Sequence, residues 1–160
     1  MPVRPVAEFL DQHQIRYHCY NHPPADTAQE IAHYAHVSGH ELAKTVILRA
    51  DDRFVMAVLP AHEYVDLTRL GEIMGADRLE LAQEAEFRDL FPWCEPGGEP
   101  PFGILYGLDV YMDADLMANE TIAFNAGTHT EIMKMDTSEF RYLVHPKVCR
   151  FSVPQPAAIG

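Results

Sequence analysis

L-A-K-T-V-I-L-R-A, residues 42–50, is apolar on both parities: Leu42, Val46 and Leu48 fall on one face of an extended chain, Ala43 and Ile47 on the other. A strand of that kind is covered on both sides, so it belongs inside a sheet with layers packed above and below. The run R-F-V-M-A-V-L at 53–59 has the same β-rich character, and Asp51 and Asp52 between the two supply turn chemistry. The pair reads as a hairpin. Lys44 has the parity of Leu42 and Val46. Its ammonium either snorkels past these neighbours to water or lies in a pocket, where burial lowers its pKa.

Working outward from the hairpin, Val6, Phe9 and Leu10 recur at helical spacing and predict a first helix over 3–14, followed by a strand over 15–20. Residues 21–26 hold Pro23 and Pro24 and form a connection. Thr27 and Glu30 have capping-box spacing and predict a helix to about residue 36, closed by Gly39. Downstream, helices are expected over 66–74, stopping at Gly75, and over 83–91, with a brief strand at 79–82. Strands are expected at 104–106, 109–112, 121–124 and 130–135, the last two flanking a hairpin tip at 125–129. A helix over 136–144, a strand over 147–153 and a frayed tail complete the chain. Helices and hairpins in this order, without strict strand–helix–strand alternation, indicate an α+β domain with a mixed sheet and helices packed on it. The domain is expected over 1–153 and the tail over 154–160.

A chain of 160 residues can bury a hydrophobic core as one domain, and its 48% hydrophobic and 22% charged composition is that of an ordinary soluble protein. No apolar run is long enough for a bilayer, and the N-terminus lacks a signal-peptide pattern. The expected location is cytoplasmic, with no membrane partner. Cys19, Cys94 and Cys149 are too few and too dispersed for a disulfide framework or a Cys-x-x-Cys site. Net charge is −12, from 24 acidic and 12 basic residues, which repels nucleic acid at long range. DNA is not an expected partner, and any RNA should be held locally.

Candidate chemistry is sparse. No phosphate-cradling glycine motif, no His-Glu-x-x-His and no Gly-x-Ser-x-Gly elbow occurs. His33, His36 and His40 could share a helical face, but Ser38 and Gly39 interrupt it before His40, so no metal is expected. Cys94 is either a thiolate nucleophile or a small buried hydrophobe. The stretch W-C-E-P-G-G-E-P-P-F-G-I-L-Y-G, 93–107, lets backbone approach a ligand closely while its prolines restrict wandering. It suits fixed N–H donors for an oxyanion and equally a structural turn.

Four stretches in order carry a family resemblance: His22-Pro23-Pro24 followed by Thr27; Lys44-Thr45; Leu90-Phe91-Pro92 leading to Gly97-Gly98-Glu99-Pro100-Pro101-Phe102-Gly103; and Phe124-Asn125-Ala126-Gly127-Thr128-His129. Together they resemble the YbaK/ProX-type aminoacyl-tRNA deacylases, freestanding relatives of the editing domain inserted in bacterial prolyl-tRNA synthetases. The resemblance implies that family's fold, a central mixed, largely antiparallel β-sheet flanked by helices. It implies hydrolysis, in trans, of a small amino acid such as Ala, Cys, Ser or Thr from a mischarged tRNA, tRNA-Pro or a similar one. The family's water attack is assisted by the neighbouring ribose hydroxyl and by backbone donors, with no protein base and no cofactor.

By the same carry-over Lys44 holds a phosphate of the tRNA end, and Gly97, Gly98 and Pro101 belong to the loop that clamps the substrate. His22, Thr27, Thr45, Asn125, Gly127 and His129 are the implied substrate-binding residues. The implied partners are the acceptor end of a mischarged tRNA and, to supply RNA affinity, an aminoacyl-tRNA synthetase. The acidic balance motivates an alternative: a noncatalytic aminoacyl-nucleotide or protein-binding module on the same fold.

Overall fold

The computed structural model describes residues 4–21 and 40–154, with the Arg4 side chain left out. His22, Thr27, the helix expected over 27–36 and the tail beyond Pro154 lie outside the described residues.

The hairpin forms as expected. Strands β2 (Ala43–Ala50) and β3 (Arg53–Pro60) pair antiparallel from Ala43 opposite Pro60 to Ala50 opposite Arg53. Asp51 takes a left-handed backbone conformation at the turn, φ 54°. The hairpin is the centre of a five-stranded mixed sheet in the order β5-β2-β3-β6-β9. Here β5 is Leu79–Leu81, β6 is Asp109–Asp113 and β9 is Lys147–Cys149. The pairings of β6 with β3 and with β9 are parallel. A three-stranded antiparallel sheet, β1 (Tyr17–Asn21), β8 (Glu131–Asp136) and β7 (Thr121–Asn125), meets the start of the hairpin through one bridge, Leu42 to Ala123. A short ribbon of β4 (Glu63–Val65) and β10 (Ser152–Pro154) completes the strands. Among the described residues, five of the seven strand pairings are antiparallel.

Both faces of the central sheet are covered, as the two-parity pattern requires. Ala43, Ile47, Met56, Val58, Val110 and Met112 enter one core cluster with residues of α1 (Arg4–Gln12) and of α4 (Thr137–Val144). Leu48, Ala50, Val55, Ala57, Leu59 and Tyr111 enter another with Leu70 of α2 (Leu67–Met74). Each fully buried Val, Leu or Met side chain among these contributes roughly 1.5–3 kcal/mol, so the sheet is a stable frame for the segments attached to it. α2 is bounded as its sequence suggests: Asp66 accepts the Arg69 N–H at 3.1 Å, and Gly75 closes it in a left-handed conformation.

Three local expectations fail for tertiary reasons. Residues 104–106 are not a strand: Gly103–Leu105 is a 3-10 turn, with Leu105 N donating to Phe102 O and Tyr106 N to Gly103 O, both 2.9 Å. The helix expected over 83–91 is only α3 (Glu84–Phe87), followed by a 3-10 turn at Arg88–Leu90. The last strand is split. Asp113, buried at the end of β6, accepts N–H bonds from Phe151 and Ser152, each 3.0 Å, and turns the chain from β9 into the ribbon with β4. That ribbon was not legible, because β4 is only three residues long.

Candidate active site

The glycine loop is held at both ends by aromatic anchors. Phe91 is buried and stacks on Tyr106 with centroids 4.3 Å apart. Phe102, just past Pro101, is fully buried and packs on Phe124 of β7 at 5.4 Å and on Phe140 of α4 at 5.6 Å. Each such pair is worth about 0.5–1.5 kcal/mol beyond burial, so the loop between them starts and ends at fixed points.

Between the anchors the loop is clasped to the 126–129 turn that follows β7. Glu95 N donates to Gly127 O at 2.8 Å and Gly127 N donates to Gly98 O at 2.9 Å. His129 adds a ring contact: its Nε2 meets the Pro96 carbonyl, so that nitrogen carries the proton. The His129 N–H also reaches Glu95 Oε1 at 3.3 Å. This closeness demands glycine. Gly97 has φ +83°, and a Cβ there would lie 2.9 Å from His129 Cε1; one at Gly98 would lie 3.1 Å from backbone atoms of Thr128.

The loop's own donors are mostly engaged. Gly98 N donates to Glu95 O at 2.9 Å, and Pro100 and Pro101 have no N–H. Within 97–101 this leaves the N–H groups of Gly97 and Glu99, and both interact with the Glu99 carboxylate. Burial pushes the Glu99 carboxyl above its usual range, those two N–H groups oppose the rise, Glu84 adds to it, and His129 opposes it. Thr128 Oγ1, in the turn against Gly98, is buried without a hydrogen-bond partner.

Lys44 lies on β2 opposite Leu59, half-buried, its Nζ 4.8 Å from the centroid of the Tyr64 ring. Burial lowers its pKa, and Glu63 opposes that. The parallel bridge from Leu42 to Ala123 relates it to the turn: Lys44 and Asn125 each lie two residues farther along, on the face that Leu42 and Ala123 share. Thr45 falls on the opposite face, that of Ala43 and Ile47. Gly97, Gly98, Gly127 and His129 are thus in direct contact, Asn125 leads into their turn, and Lys44 shares the Asn125 face. Pro101 is buried at the loop's far end beside its Phe102 anchor.

Cys94 is half-buried, with Sγ 3.8 Å from the Tyr106 hydroxyl, and burial raises its pKa. That favours the thiol, the weaker nucleophile, and leaves Cys94 as packing. Among the described residues, Glu63, Asp113 and Asp115 place carboxylate oxygens within 4.8 Å of one another. Their oxygens already serve the fold: Asp113 takes the N–H groups of Phe151, Ser152 and Asp115, Glu63 takes the Ser152 hydroxyl, and Asp115 pairs with Arg150 at 2.9 Å. Sequence reasoning missed Glu95, Glu99 and Thr128 as members of the site. An acid between glycine and proline in an apolar loop was the available signal for Glu99.

The loop clasped on its turn, carried by this sheet, coincides with a family match. The aminoacyl-tRNA editing domain family matches residues 22–143, and the chain belongs to that family. Among its relatives, the proline–tRNA ligase of Bacillus subtilis (strain 168) is 30% identical over 109 residues, 67% of this chain and 19% of that protein. The multifunctional Ser/Thr-tRNA deacylase ProXp-y of Escherichia coli (strain K12) is 31% identical over 101 residues, 62% of this chain and 60% of that one. The chain therefore spans about a fifth of the ligase it matches. A crystal structure described as a candidate trans-editing enzyme for prolyl-tRNA synthetase superposes with a TM-score of 0.82 at 20% identity, covering 94% of this chain and 96% of the other. The likeness confirms the expected α+β fold. No helix among the described residues is long and apolar enough to cross a membrane.

Proposed function

We propose that this protein is an aminoacyl-tRNA deacylase that removes a wrongly attached small amino acid from the 3′ end of a tRNA. The observation that carries the reading is the clasp between the 97–98 glycines and the 127–129 turn, in a chain that belongs to the editing-domain family. Water adds to the ester carbonyl, the carbon–oxygen bond to the ribose breaks, and the ribose oxygen leaves with a proton, giving free amino acid and deacylated tRNA. An aminoacyl ester is already labile, so positioning and a few donors can supply the needed several kcal/mol.

In this reading Lys44 holds a phosphate of the acceptor end, with Tyr64 limiting where its ammonium can go. The Gly97 and Glu99 N–H groups are the donors of the 97–101 loop that can turn to a developing oxyanion, which requires the Glu99 carboxylate to give them up. Gly98 acts by close packing, Pro101 by stiffening the loop, and Asn125, Gly127 and His129 wall the amino-acid side. Thr128 Oγ1 offers a hydrogen bond to a substrate group, which would help tell serine or threonine from alanine. His22, Thr27 and Thr45 are retained as substrate contacts on the family resemblance. A synthetase of the prolyl type is the proposed partner, and the cytoplasm the proposed location.

The test is a deacylation panel with Ala-, Cys-, Ser- and Thr-tRNA, in which Lys44→Ala lowers kcat/KM at least about a hundredfold, the cost of losing a charged phosphate contact in a half-buried site. An unchanged rate in that variant removes Lys44 from the mechanism. The net charge of −12 favours one second reading, a noncatalytic binding module. No hydrolysis across the panel, with thermal stabilisation by an aminoacyl-adenosine analogue retained, would establish it instead.

A further inference from the structure

We propose that Trp93 is a stacking platform for an unpaired nucleobase near the 3′ end of the RNA substrate, an inference that rests on the deacylase reading. Tryptophan is highly buried in most proteins, yet Trp93 is 71% exposed. The backbone under it is fixed: Cys94 N donates to Phe91 O at 3.1 Å, Phe91 is buried, and Glu95 N is bound to Gly127 O. The indole is therefore displayed by a pinned turn, and little freedom is lost when something lies against it.

Its place fits the substrate. Glu95, which touches the candidate site, is two positions on from Trp93 and Gly97 is four positions on, so the Trp93 and Gly97 Cα atoms are at most about 15 Å apart. A short single strand whose last sugar sits at the loop can bring an upstream base that far.

The charge balance says why stacking is needed. RNA-binding proteins ordinarily draw affinity from Lys and Arg on phosphates. Here acids outnumber bases two to one, and Arg49, Arg53, Arg78, Arg150 and Lys134 are each paired with a carboxylate. Lys147 lies over Tyr111. Aromatic stacking holds a base through its π-face without needing a cation. The neighbours Pro92 and Glu95 are exposed too, so Trp93 is a single flat aromatic surface among mixed residues. That suits one base better than an apolar protein surface.

Trp93 is the chain's sole tryptophan, so its emission reports directly on the proposed contact. Titration with a deacylated acceptor-stem minihelix carrying an unpaired 3′ end should quench it saturably, while a blunt minihelix should not. Raising salt from 50 to 200 mM should weaken binding less than about tenfold, well below the loss of a phosphate-dominated complex. In deacylation, Trp93→Ala should raise KM about tenfold, and Trp93→Phe should restore most of the loss. Equal quenching by both minihelices, quenching only by a synthetase, or an unaltered KM in Trp93→Ala overturns the platform while the deacylase reading stands. Quenching by the overhang in a protein that hydrolyses no aminoacyl-tRNA supports the platform and defeats the deacylase reading.

Discussion

Two buried carboxylates show how differently two parts of this molecule are built. At the end of β6, Asp113 is 2% exposed and receives three backbone N–H groups from Phe151, Ser152 and Asp115. Inside the glycine loop, Glu99 is 5% exposed, and burial outweighs the two N–H groups that face it. The first arrangement joins the central sheet to the β4–β10 ribbon and leaves nothing for a ligand to do. The second keeps a polar group under-compensated in a loop whose Gly98 packs on the turn that holds the unpartnered Thr128 Oγ1. Asp113 is satisfied by the fold, whereas the charge on Glu99 is not fully compensated.

The contrast can be broken most sharply at Asp113. Asp113→Ala strands three N–H groups that now donate to a charged acceptor and should cost about 3 kcal/mol or more, seen as a lowered urea midpoint. Its folded fraction should keep kcat/KM within about twofold. Lost activity at intact stability would move Asp113 into the site. Next comes Gly98→Ala, whose new methyl meets Thr128 backbone that cannot swing aside. We expect a stability loss of about 1–3 kcal/mol and a fall in kcat/KM of about tenfold, because loop and turn must separate. Full activity in that variant would show that the clasp is only structural.

The smallest effect is expected at Glu99 and depends on pH. Its folded pKa lies above the ordinary 4.5, so below that value the carboxyl is protonated in folded and unfolded chains alike and no charge is buried. As pH rises through 4.5 the unfolded chain ionises first, and stability is lost until the folded group also ionises. Glu99→Gln should therefore match the wild type in acid and gain on it toward neutrality, measured as Tm at pH 4 and pH 7. An advantage confined to acid would mean that the N–H groups over-compensate the charge.

How much of this was legible beforehand follows the range of the forces involved. The β2–β3 hairpin was readable because apolar residues on both parities state burial directly, and α2 because Asp66 and Gly75 are caps whose partners lie within a turn. The split at Arg150 was not, since its cause is a carboxylate 38 positions back from Phe151. Residues 104–106 carry β-type side chains, yet Gly103 and the Phe102 anchor coil them. At the site, the glycines announced a close approach of backbone to something. That the something includes Thr128 and His129, about thirty positions on, no spacing rule states, and only the family resemblance put the two stretches side by side.

Entry into β2 bears on the substrate contact proposed for Lys44. Three successive carbonyls are each accounted for by a different part of the chain: His40 O by the Asn119 side chain at 2.8 Å, Glu41 O by Ala123 N at 3.0 Å, and Leu42 O by Ala61 N at 2.9 Å. The main chain beneath Lys44 is pre-organised by these ties. If Lys44 holds the acceptor end as proposed, its ammonium stands on a tether that is already still, so less motional freedom would have to be surrendered at docking.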